Sequence, residues 1–436
     1  MNLLKSICIV GGGIAGLSAA VFLANENYDV TLIEASPKTG GRTYSFFDKT
    51  LGRDTDNGQH ILAGWYHNTF EYLRIIGSYD KLTFQSRLEV NFSDENSNGY
   101  LLKCPSLPPP FHLIGGIMRY NALRFYDKLS LFRLIYKIRK IRNDELKGMN
   151  TDELFIITGQ SERLINFFWK PFIIAVFNAR PENTSAYLFA EIIKKGFFNK
   201  NSSNLVLPDD FLSRLFTEPA LEFLRHKNCK IITNKRIIKI NFNNDTVTSL
   251  IAEDNSEFKS EYYISAVPFF EFSKLISENV FNEYYDLDIL KPSPIVNIHI
   301  KLDRSIEDII NARFLGLLNT NIQWVFRVRN DQLCLVISSA DEIASLDKER
   351  ISEIALNELK MCIPEIQNVN VTGIRVIKEM RATFIPDKLS LNCRPPNKTK
   401  FKNFFIAGDW TDTGLPATIE GAVKSARNVK ELIINL

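Results

Sequence analysis

The hydrophobic and polar positions at the start of the chain predict a strand, a tight turn, a helix and a second strand. Ser6 to Val10 is a short apolar run, Ile14 to Asn25 has helical spacing, and Val30 to Glu34 is again strand-like. The turn before the helix contains a G-x-G-x-x-G pattern at Gly11, Gly13 and Gly16. Because glycines let the backbone approach a pyrophosphate that the helix N-terminus attracts, this segment predicts a dinucleotide-binding unit.

A carboxylate stands where a dinucleotide site needs one. Glu34 ends the second predicted strand, 23 residues after Gly11. In units of this kind, an acidic residue at about that distance binds ribose hydroxyls. We therefore predict that Glu34 contacts the cofactor. The alternative is an ordinary surface residue at the end of a strand.

Further along the chain, the pattern departs from a plain doubly wound fold. α/β texture returns over residues 205–265, antiparallel-like strands alternate between Val296 and Ser338, and a strand at Phe404–Ala407 precedes a last helix at Ala417–Leu432. This order predicts a mixed α/β (α+β) fold, in which a discontinuous Rossmann-like nucleotide-binding domain carries an inserted substrate domain of antiparallel sheet and helices. The first domain takes residues 1–80, 205–270 and 395–436, and the inserted domain takes 81–204 and 271–394.

A basic and aromatic stretch with helical spacing runs from Arg119 to Arg142, after a proline-rich loop. A solvated helix face is the ordinary explanation of such charges. The stretch also carries Tyr, Phe, Leu and Ile at helical spacing, which suits a helix lying in the headgroup region of an anionic membrane leaflet. Nucleic acid is the weaker alternative, because no binding motif accompanies the patch, and we expect no nucleic-acid partner.

Composition narrows the classes of protein. The chain has 436 residues with 53 basic and 50 acidic side chains, and its net charge of +3 argues against a global polyanion-binding surface. Six cysteines lie far apart without a CxxC pair, which argues against a metal site and a disulfide scaffold and fits a reducing compartment. No apolar run reaches the roughly 20 residues that span a bilayer, and we expect no export signal. The 32 phenylalanines require a large core or an apolar ligand.

Three further segments indicate which dinucleotide binds. Gly40-Gly41-Arg42 adds a second close backbone approach beside a guanidinium that can meet phosphate. Phe404 to Asp409 ends a C-terminal strand in a carboxylate, and Thr418 to Ala422 starts the last helix, whose dipole can stabilise the anionic end of a reduced isoalloxazine. A nicotinamide enzyme needs none of these segments, so we predict FAD, bound non-covalently.

Longer motifs carry a family resemblance over nearly the whole chain. They are Asp56–His60, Phe177–Glu182 and the block Gly408–Ala422. Through them the sequence resembles the flavin amine oxidase superfamily, which includes amine oxidases and carotenoid desaturases, and within it the hydroxysqualene dehydroxylases, also called squalene-associated FAD-dependent desaturases. The resemblance implies that the following residues line FAD: Gly11, Gly13, Gly16, Glu34, Gly41, Arg42, Ile237, Gly408, Asp409 and Glu420.

Two positions within this resemblance need separate comment. Ile237 would meet the adenine through its main chain only. At Lys38 the sequence departs from the superfamily, where arginine is common. A lysine can still meet a phosphate as a point charge, but it lacks the bidentate geometry of arginine.

Two residues are candidates for catalysis. His60 follows the glycine pair at a distance that can bring it to the flavin ring, where it would donate a proton; the alternative is a histidine that only satisfies buried backbone groups. Arg381 lies where superfamily enzymes can place a basic group near the flavin, and a surface strand residue is an equal interpretation. The remaining histidines have no spacing argument and are expected to be structural: His67, His112, His226 and His299.

The resemblance implies an FAD-dependent oxidoreductase that reductively removes the hydroxyl group of hydroxysqualene to give squalene. The alternatives are a carotenoid-type desaturase, a flavin amine oxidase, and a flavin-stabilised lipid-binding protein without turnover. For a hydrophobic isoprenoid substrate, we expect a cytoplasmic protein that associates peripherally with the inner face of the cytoplasmic membrane. The chain has one dinucleotide fingerprint, so we expect electrons from an external donor.

Overall fold

The structure, a computed structural model, describes residues 5–197, 202–275 and 286–436. Its organising element is a five-stranded parallel sheet with the spatial strand order Lys230–Ile232, Asp29–Ile33, Ser6–Val10, Tyr262–Ser265 and Phe404–Ile406. Every neighbouring pair is parallel. The strands come from distant parts of the chain, and the predicted mixed α/β class with a Rossmann-like unit is confirmed. The domain boundaries drawn from the sequence stay a prediction.

The first helix, Ile14–Asn25, packs against this sheet and against the last helix, Ile419–Ile434. Ten of its twelve residues are buried, as expected for a helix that is apolar all round. Gly13 is its N-cap, in an extended conformation with φ −72° and ψ −179°, and among the described residues no side chain caps this helix end. A helix N-terminus with uncapped N–H groups attracts anions.

A second, seven-stranded sheet is mixed, and we call it the large sheet. Its spatial strand order is Val371–Phe384, Pro292–Leu302, Gln332–Ser338, Trp324–Arg329, Phe314–Leu318, Glu89–Asp94 and Gly99–Lys103. One pair, Phe314–Leu318 with Glu89–Asp94, is parallel, and the other pairs are antiparallel. The strands predicted between Val296 and Ser338 are confirmed. The pattern does not predict the hairpin at Glu89–Lys103, because few apolar residues mark its first strand.

The strand Pro292–Leu302 has two buried faces with different partners. Val296, Ile298 and Ile300 pack into a core behind the sheet that includes the helix Lys348–Cys362. The alternate residues Asn297 and His299 face the opposite way, since successive side chains in a strand point to opposite faces. They reach the segment that contains the predicted catalytic His60, as described below.

Three small antiparallel sheets complete the strand structure. One consists of Ile237–Asn243, Thr246–Ala252 and Glu257–Phe258, the second of Ser45–Asp48 and Arg53–Asp56, and the third of Leu62–Ala63, Leu205–Pro208 and Leu82–Phe84. The last two sheets hold the chain on either side of residues 57–61.

Helices fill much of the inserted sequence. The predicted basic helix is present at Phe125–Ile138, shorter than the stretch Arg119–Arg142, and a separate helix, Phe111–Arg119, precedes it. The later start has a cause, because the Asp127 carboxylate accepts from the backbone N–H of Arg124 at 2.8 Å and caps the helix there. Across the described residues, no helix is both long and apolar enough to cross a bilayer. The other α-helices are His67–Ile75, Asn143–Lys147, Thr151–Thr158, Glu162–Leu164, Lys170–Phe177, Ala186–Phe197, Glu218–His226, Phe269–Leu275, Asp341–Ser345 and Ser390–Cys393.

Candidate functional site

A cavity of about 760 Å³ lies at the carboxyl ends of the parallel strands, with the strand Val371–Phe384 on its other side. Ligands of open parallel sheets bind at this edge, where the loops that follow the strands converge. Nine residues singled out from the sequence line the cavity: Gly11, Gly13, Glu34, Gly41, Arg42, Ile237, Arg381, Gly408 and Asp409. The structure therefore brings together residues that lie up to 398 positions apart, between Gly11 and Asp409.

Two glycines face each other across the cavity floor. A Cβ added to Gly13 would find its nearest described neighbour, Gly41 Cα, 3.9 Å away, and a Cβ added to Gly41 would lie 3.0 Å from Gly13 Cα. Gly41 also has a positive φ of 57°, which favours glycine. The extended backbone of Gly13 would accept any residue, so protein packing does not require glycine there. The space that a side chain would fill fits a pyrophosphate at the uncapped helix end.

Glu34 is fixed in an orientation suited to hydroxyl groups. Its Oε2 accepts from the N–H of Gly12 at 2.6 Å, and its Oε1 accepts from the N–H of Ser36 at 2.7 Å. Each carboxylate oxygen has further acceptor capacity, and the residue lines the cavity. This arrangement fits the ribose-binding role predicted from the sequence.

Arg42 connects three parts of the cavity wall. Its Nη2 forms an ion pair with Asp409 Oδ2 at 2.7 Å, and its Nη1 donates to the carbonyl oxygen of Ala382. The Arg42 side chain remains 38% exposed. A guanidinium held in this way can meet a phosphate or the polar edge of a ring without losing its position.

A buried cation supports the loop that carries Asp409. Arg394 is 5% exposed and donates to the carbonyl oxygens of Trp410 and Asp409, both at 3.4 Å, and of Thr411. Burial lowers the pKa of Arg394 to about 10, so the side chain stays charged at neutral pH. Sequence reasoning did not identify this residue, because no spacing links it to the Gly408–Asp409 motif.

Gly16 and Lys38 do not line the cavity. A Cβ on Gly16 would lie 1.8 Å from the carbonyl oxygen of Gly11, so this glycine lets the first helix pack against the turn. Lys38 is exposed and is absent from the cavity wall. Gly16 thus has a packing role, the cofactor contact implied for it stays a prediction, and the structure gives no support to a phosphate contact by Lys38.

Glu420, for which the cofactor contact stays a prediction, has a set of contacts within the protein. Its buried carboxylate accepts from the backbone N–H and side-chain amide of Asn68, at 3.1 and 2.7 Å, and from the N–H and hydroxyl of Thr69, at 2.9 and 2.7 Å. Those residues form the first turn of the helix His67–Ile75, which a negative charge stabilises. Burial raises the pKa of Glu420. Glu420 thus links the first turn of the last helix to the first turn of the helix His67–Ile75. Two residues further along, Ala422 lines the cavity.

His60 lies near Arg42 but is not among the residues that line the cavity. Burial, and the charge of Arg42, lower the pKa of His60 to about 4, so its imidazole is neutral at pH 7. In that form it donates one hydrogen bond and is not a protonated acid. The same segment is fixed by Asn57, whose Nδ2 donates to the Arg42 carbonyl oxygen at 3.4 Å. The buried Asn57 Oδ1 has no partner among the residues that the structure describes.

Two residues of the large sheet pack against the segment of residues 55–60. Asn297 packs against Gly58, where a Cβ would lie 2.7 Å from Asn297 Nδ2. His299, which is fully buried, pairs its Nδ1 with Thr55 Oγ1 at 3.2 Å. Burial lowers the pKa of His299 to about 4. This agrees with the structural role expected from the sequence.

Arg381 lies at the open side of the cavity. It is exposed, and its guanidinium sits 4.3 Å from the ring centroid of Phe270, a cation–π contact. Phe269 and Phe270 also line the cavity, although the sequence analysis missed them. The signal that could have found them is their place directly after the strand Tyr262–Ser265, at the same sheet edge as the glycine turn.

Comparison with known proteins agrees with this geometry. A sequence profile of the family described as flavin containing amine oxidoreductase matches residues 14–434. The chain belongs to this family. The resemblance inferred from the motifs is thereby confirmed. Because the family is flavin-containing and the cavity fits a dinucleotide, the cofactor of this flavin-containing oxidoreductase is FAD.

Curated relatives of this family member match it nearly end to end. A protein named hydroxysqualene dehydroxylase from Zymomonas mobilis is 27% identical over 98% of each chain, and one from Rhodopseudomonas palustris is 26% identical over 99% of this chain and 98% of its own. A 15-cis-phytoene desaturase from Arabidopsis thaliana is 23% identical over 98% of this chain and 80% of its own.

Solved structures of similar fold include an oxidoreductase from Methanosarcina mazei, with a TM-score of 0.76, 17% identity and coverage of 98% of this chain and 100% of that one. Another is cyclohexylamine oxidase from Brevibacterium oxydans, with a TM-score of 0.73, 14% identity and coverage of 99% of both chains. At these identities, the likeness concerns the fold of the flavin-containing oxidoreductase alone.

Replacing Gly13 by valine should abolish FAD binding, because the added side chain would occupy the space for the pyrophosphate. The backbone of Gly13 is compatible with valine, so the fold should persist. The measurement is the ratio of flavin absorbance to protein after purification, with circular dichroism as a folding check. Gly99→Val is the control, since its Cβ would meet nothing within 4 Å. A yellow Gly13→Val protein with full flavin content would contradict the assignment.

Replacing Glu420 by glutamine should lower the free energy of unfolding by about 1–3 kcal/mol, because the new amide NH₂ would face donors on Asn68 or Thr69. The flavin content should stay that of the wild type. Denaturant unfolding measures the first quantity, and flavin absorbance measures the second. Glu342→Gln, at an 85% exposed side chain, is the control. Loss of FAD without loss of stability would restore the contact predicted from the sequence.

Acidification should destabilise the fold through His299. In the folded state its pKa is lowered from the ordinary value of 6.5 to about 4. As the pH falls, the unfolded state therefore takes up a proton first. The contribution of His299 to the free energy of unfolding is complete above pH 6.5 and is lost as the pH falls to 4, by at most about 3 kcal/mol. His299→Gln should flatten the curve of melting temperature against pH in that window. Burial raises the pKa of Asp56 to about 6, so this carboxyl group stabilises the fold as the pH falls. The measured quantity is therefore the difference in melting temperature between variant and wild type at each pH. His226→Gln, at an exposed side chain, should leave the slope unchanged; an equal slope for His299→Gln would contradict the argument.

Proposed function

We propose that this protein is an FAD-dependent hydroxysqualene dehydroxylase, which converts hydroxysqualene to squalene and water. The observation that carries the proposal is the end-to-end similarity to proteins of that name at 26–27% identity. The comparisons themselves reach only to the family and its oxidoreductase character. The finer statement therefore depends on whether the site can supply what the reaction needs.

The reaction needs a proton or hydrogen bond for the departing hydroxyl, a hydride for the carbon, and protection of the carbon cation from water. Reduced FAD would supply the hydride and, as it is oxidised, also release the proton that completes the water molecule, so that FADH₂ and the alcohol give FAD, the hydrocarbon and water. The Gly13–Gly41 floor, the carboxylate of Glu34 and the Arg42–Asp409 pair would hold that cofactor. A rigid floor matters because the reacting atoms must approach within a few tenths of an ångström of the productive geometry.

His60 is the proposed hydrogen-bond donor to the departing oxygen. Its lowered pKa of about 4 means that it would act as a neutral imidazole with a single N–H to donate. The Asn57–Arg42 hydrogen bond and the contact of Gly58 with Asn297 hold the segment in place. A second consequence is that the rate of the chemical step should not follow a His60 titration between pH 5 and 8.

For the apolar surroundings of the isoprenoid we propose the aromatic cluster of the inserted sequence, which packs in the core outside the lining of the cavity and would have to open to admit a substrate. Phe92 and Tyr120 have ring centroids 6.0 Å apart, Tyr120 and Phe168 are 6.4 Å apart, and Phe92 and Trp324 are 6.0 Å apart. Such a layer excludes water, and aromatic faces stabilise a nearby cation. This is the kind of environment in which an allylic cation survives long enough to accept a hydride.

Desaturation of a carotenoid-type substrate is the second candidate, since the phytoene desaturase of Arabidopsis thaliana also matches 98% of the chain. The two functions use the same cofactor in opposite directions, because a desaturase removes hydrogen from its substrate and leaves the flavin reduced. A dehydroxylase needs its flavin reduced before each turnover. For that role we propose an external electron donor, because the sequence has a single dinucleotide fingerprint.

Anaerobic addition of hydroxysqualene to the chemically reduced holoprotein should yield squalene and oxidised flavin in a single turnover. Carrying out the reduction and reaction in deuterated medium should place one deuterium at the former carbinol carbon, which mass spectrometry detects. Phytoene added to the oxidised holoprotein is the paired assay. Bleaching of the flavin by phytoene, with no squalene from hydroxysqualene, would refute the dehydroxylase and favour the desaturase.

His60→Ala should slow the chemical step by about 10²-fold or more, as expected when a positioned proton or hydrogen-bond donor is removed. Stopped-flow reoxidation of the flavin measures that step directly. His226→Ala, at an exposed side chain, is the matched control and should react at the wild-type rate. A His60→Ala protein with full flavin content and an unchanged rate would return His60 to a structural role.

A further inference from the structure

Exposed apolar side chains are concentrated in one part of the molecule. Of the eighteen large apolar side chains that the described residues expose, ten lie between Leu101 and Ile157. Eight of those ten belong to three helices, of which the second contacts the other two: Phe111–Arg119, Phe125–Ile138 and Thr151–Thr158. We call the outer surface of these helices the basic-apolar face, and its apolar members are Phe111, Met118, Phe125, Tyr126, Leu129, Tyr136, Ile156 and Ile157.

The central helix, Phe125–Ile138, is apolar on two sides. Its inner side buries Asp127, Leu131, Leu134 and Ile138 at helical spacing. The outer side carries a second stripe, in which Tyr126 is 82% exposed, Leu129 49% and Tyr136 63%. A surface helix of a globular protein ordinarily turns a polar face outward, and contiguous exposed apolar side chains mark an interaction site.

Two lysines join the three helices into one surface. Lys128 donates from Nζ to the carbonyl oxygen of Met118 at 2.8 Å, at the end of the first helix. Lys137 donates to the carbonyl oxygen of Ile157 at 3.0 Å, near the end of the third. Ile156 is 78% exposed and thus extends the stripe beyond the segment that the sequence pattern had indicated.

Positive charge coincides with this surface. Residues 111–142, which include the first two helices of the face, contain eight lysines and arginines and one acidic residue, a net charge of +7, in a chain whose total is +3. That acid, Asp127, is buried and occupied as a helix cap. The third helix adds two acids, Asp152 and Glu153, and Arg142 pairs with Asp144 at 3.6 Å. Six of the eight basic side chains are exposed: Arg119, Arg124, Arg133, Arg139, Lys140 and Arg142. The rest of the chain is accordingly net negative, so an anionic surface would attract the protein by this face.

We propose that the basic-apolar face docks reversibly on an anionic lipid bilayer, with its aromatic and aliphatic side chains among the headgroups and its lysines and arginines on the lipid phosphates. Helices that combine these two side-chain classes bind at the bilayer interface. The choice of a bilayer over an acidic protein partner rests on the proposed function, because a C30 isoprenoid substrate resides in lipid.

The test is co-sedimentation of the holoprotein with vesicles of phosphatidylcholine alone or of an equimolar mixture with phosphatidylglycerol. The wild type should bind the mixed vesicles, and added salt should release it. Arg133→Gln/Lys140→Gln/Arg142→Gln should weaken binding on the order of 100-fold, from about tenfold or less per charge. The control is Arg225→Gln/Lys230→Gln/Lys239→Gln, which removes the same charge from exposed positions elsewhere. Failure of the wild type to bind mixed vesicles, or equal weakening by both triple variants, would overturn the proposal.

The apolar contribution has its own pair of variants. Phe125→Ser/Leu129→Ser/Tyr136→Ser keeps every charge of the face and should still reduce binding at least tenfold, whereas Leu389→Ser/Ile434→Ser/Leu436→Ser, which removes exposed apolar side chains elsewhere, should not. Flavin content and melting temperature confirm that each variant is folded. Unchanged binding of the first variant would contradict insertion into the headgroup region.

Activity separates this proposal from the proposed function. With hydroxysqualene in detergent, the face variants should react at the wild-type rate; with hydroxysqualene in mixed vesicles, they should react more slowly. Vesicle binding by the wild type without squalene formation in either medium would refute the dehydroxylase and leave the docking face intact. Equal rates for wild type and face variants on vesicle-borne substrate would mean that docking does not serve substrate delivery, which contradicts the reason given for choosing a bilayer.

Discussion

The close approach of backbone at the glycine turn is the constraint on which the rest of the site depends. A Cβ on Gly11 would lie 2.8 Å from the carbonyl oxygen of Ala266, and one on Gly16 would overlap the carbonyl oxygen of Gly11. The turn is thus compressed between the next parallel strand and its own helix. This compression places the helix N-terminus at the sheet edge, and the positions of Gly13, Gly41 and Glu34 around the cavity follow from it.

The buried ionisable groups near the cavity are either charged and hydrogen-bonded to several partners, or neutral. Where a charge is buried, several dipoles meet it: Glu420 has four donors, and Arg394 has three carbonyl oxygens. The histidines His60 and His299 are instead neutral at pH 7, because burial lowers their pKa values to about 4. The paired charges of Arg42 and Asp409 line the cavity itself. A bound cofactor therefore meets charge that the protein has already positioned.

The sequence was most informative where a local pattern has a single physical cause. The glycine turn, Glu34, and the Gly408–Asp409 segment each follow a strand, so their convergence at one sheet edge could be predicted. Glu420 could not be placed in this way, because the direction of its side chain depends on the distant helix His67–Ile75. Asn297 and Arg394 are likewise defined only by tertiary packing. Spacing along the chain carries no information about such contacts, and it also cannot decide the protonation state of His60.

The parallel sheet has a consequence for how the protein is made. Its central strand, Ser6–Val10, is synthesised long before the edge strand Phe404–Ile406. Pairings across such sequence distances form slowly, and they cannot form at all until the ribosome has released the C-terminal segment. Because Gly408 and Asp409 follow that strand, the pocket for the cofactor is completed only after this late segment has been synthesised. Until then, the nascent chain must keep a largely apolar first helix and an incomplete sheet edge from aggregating.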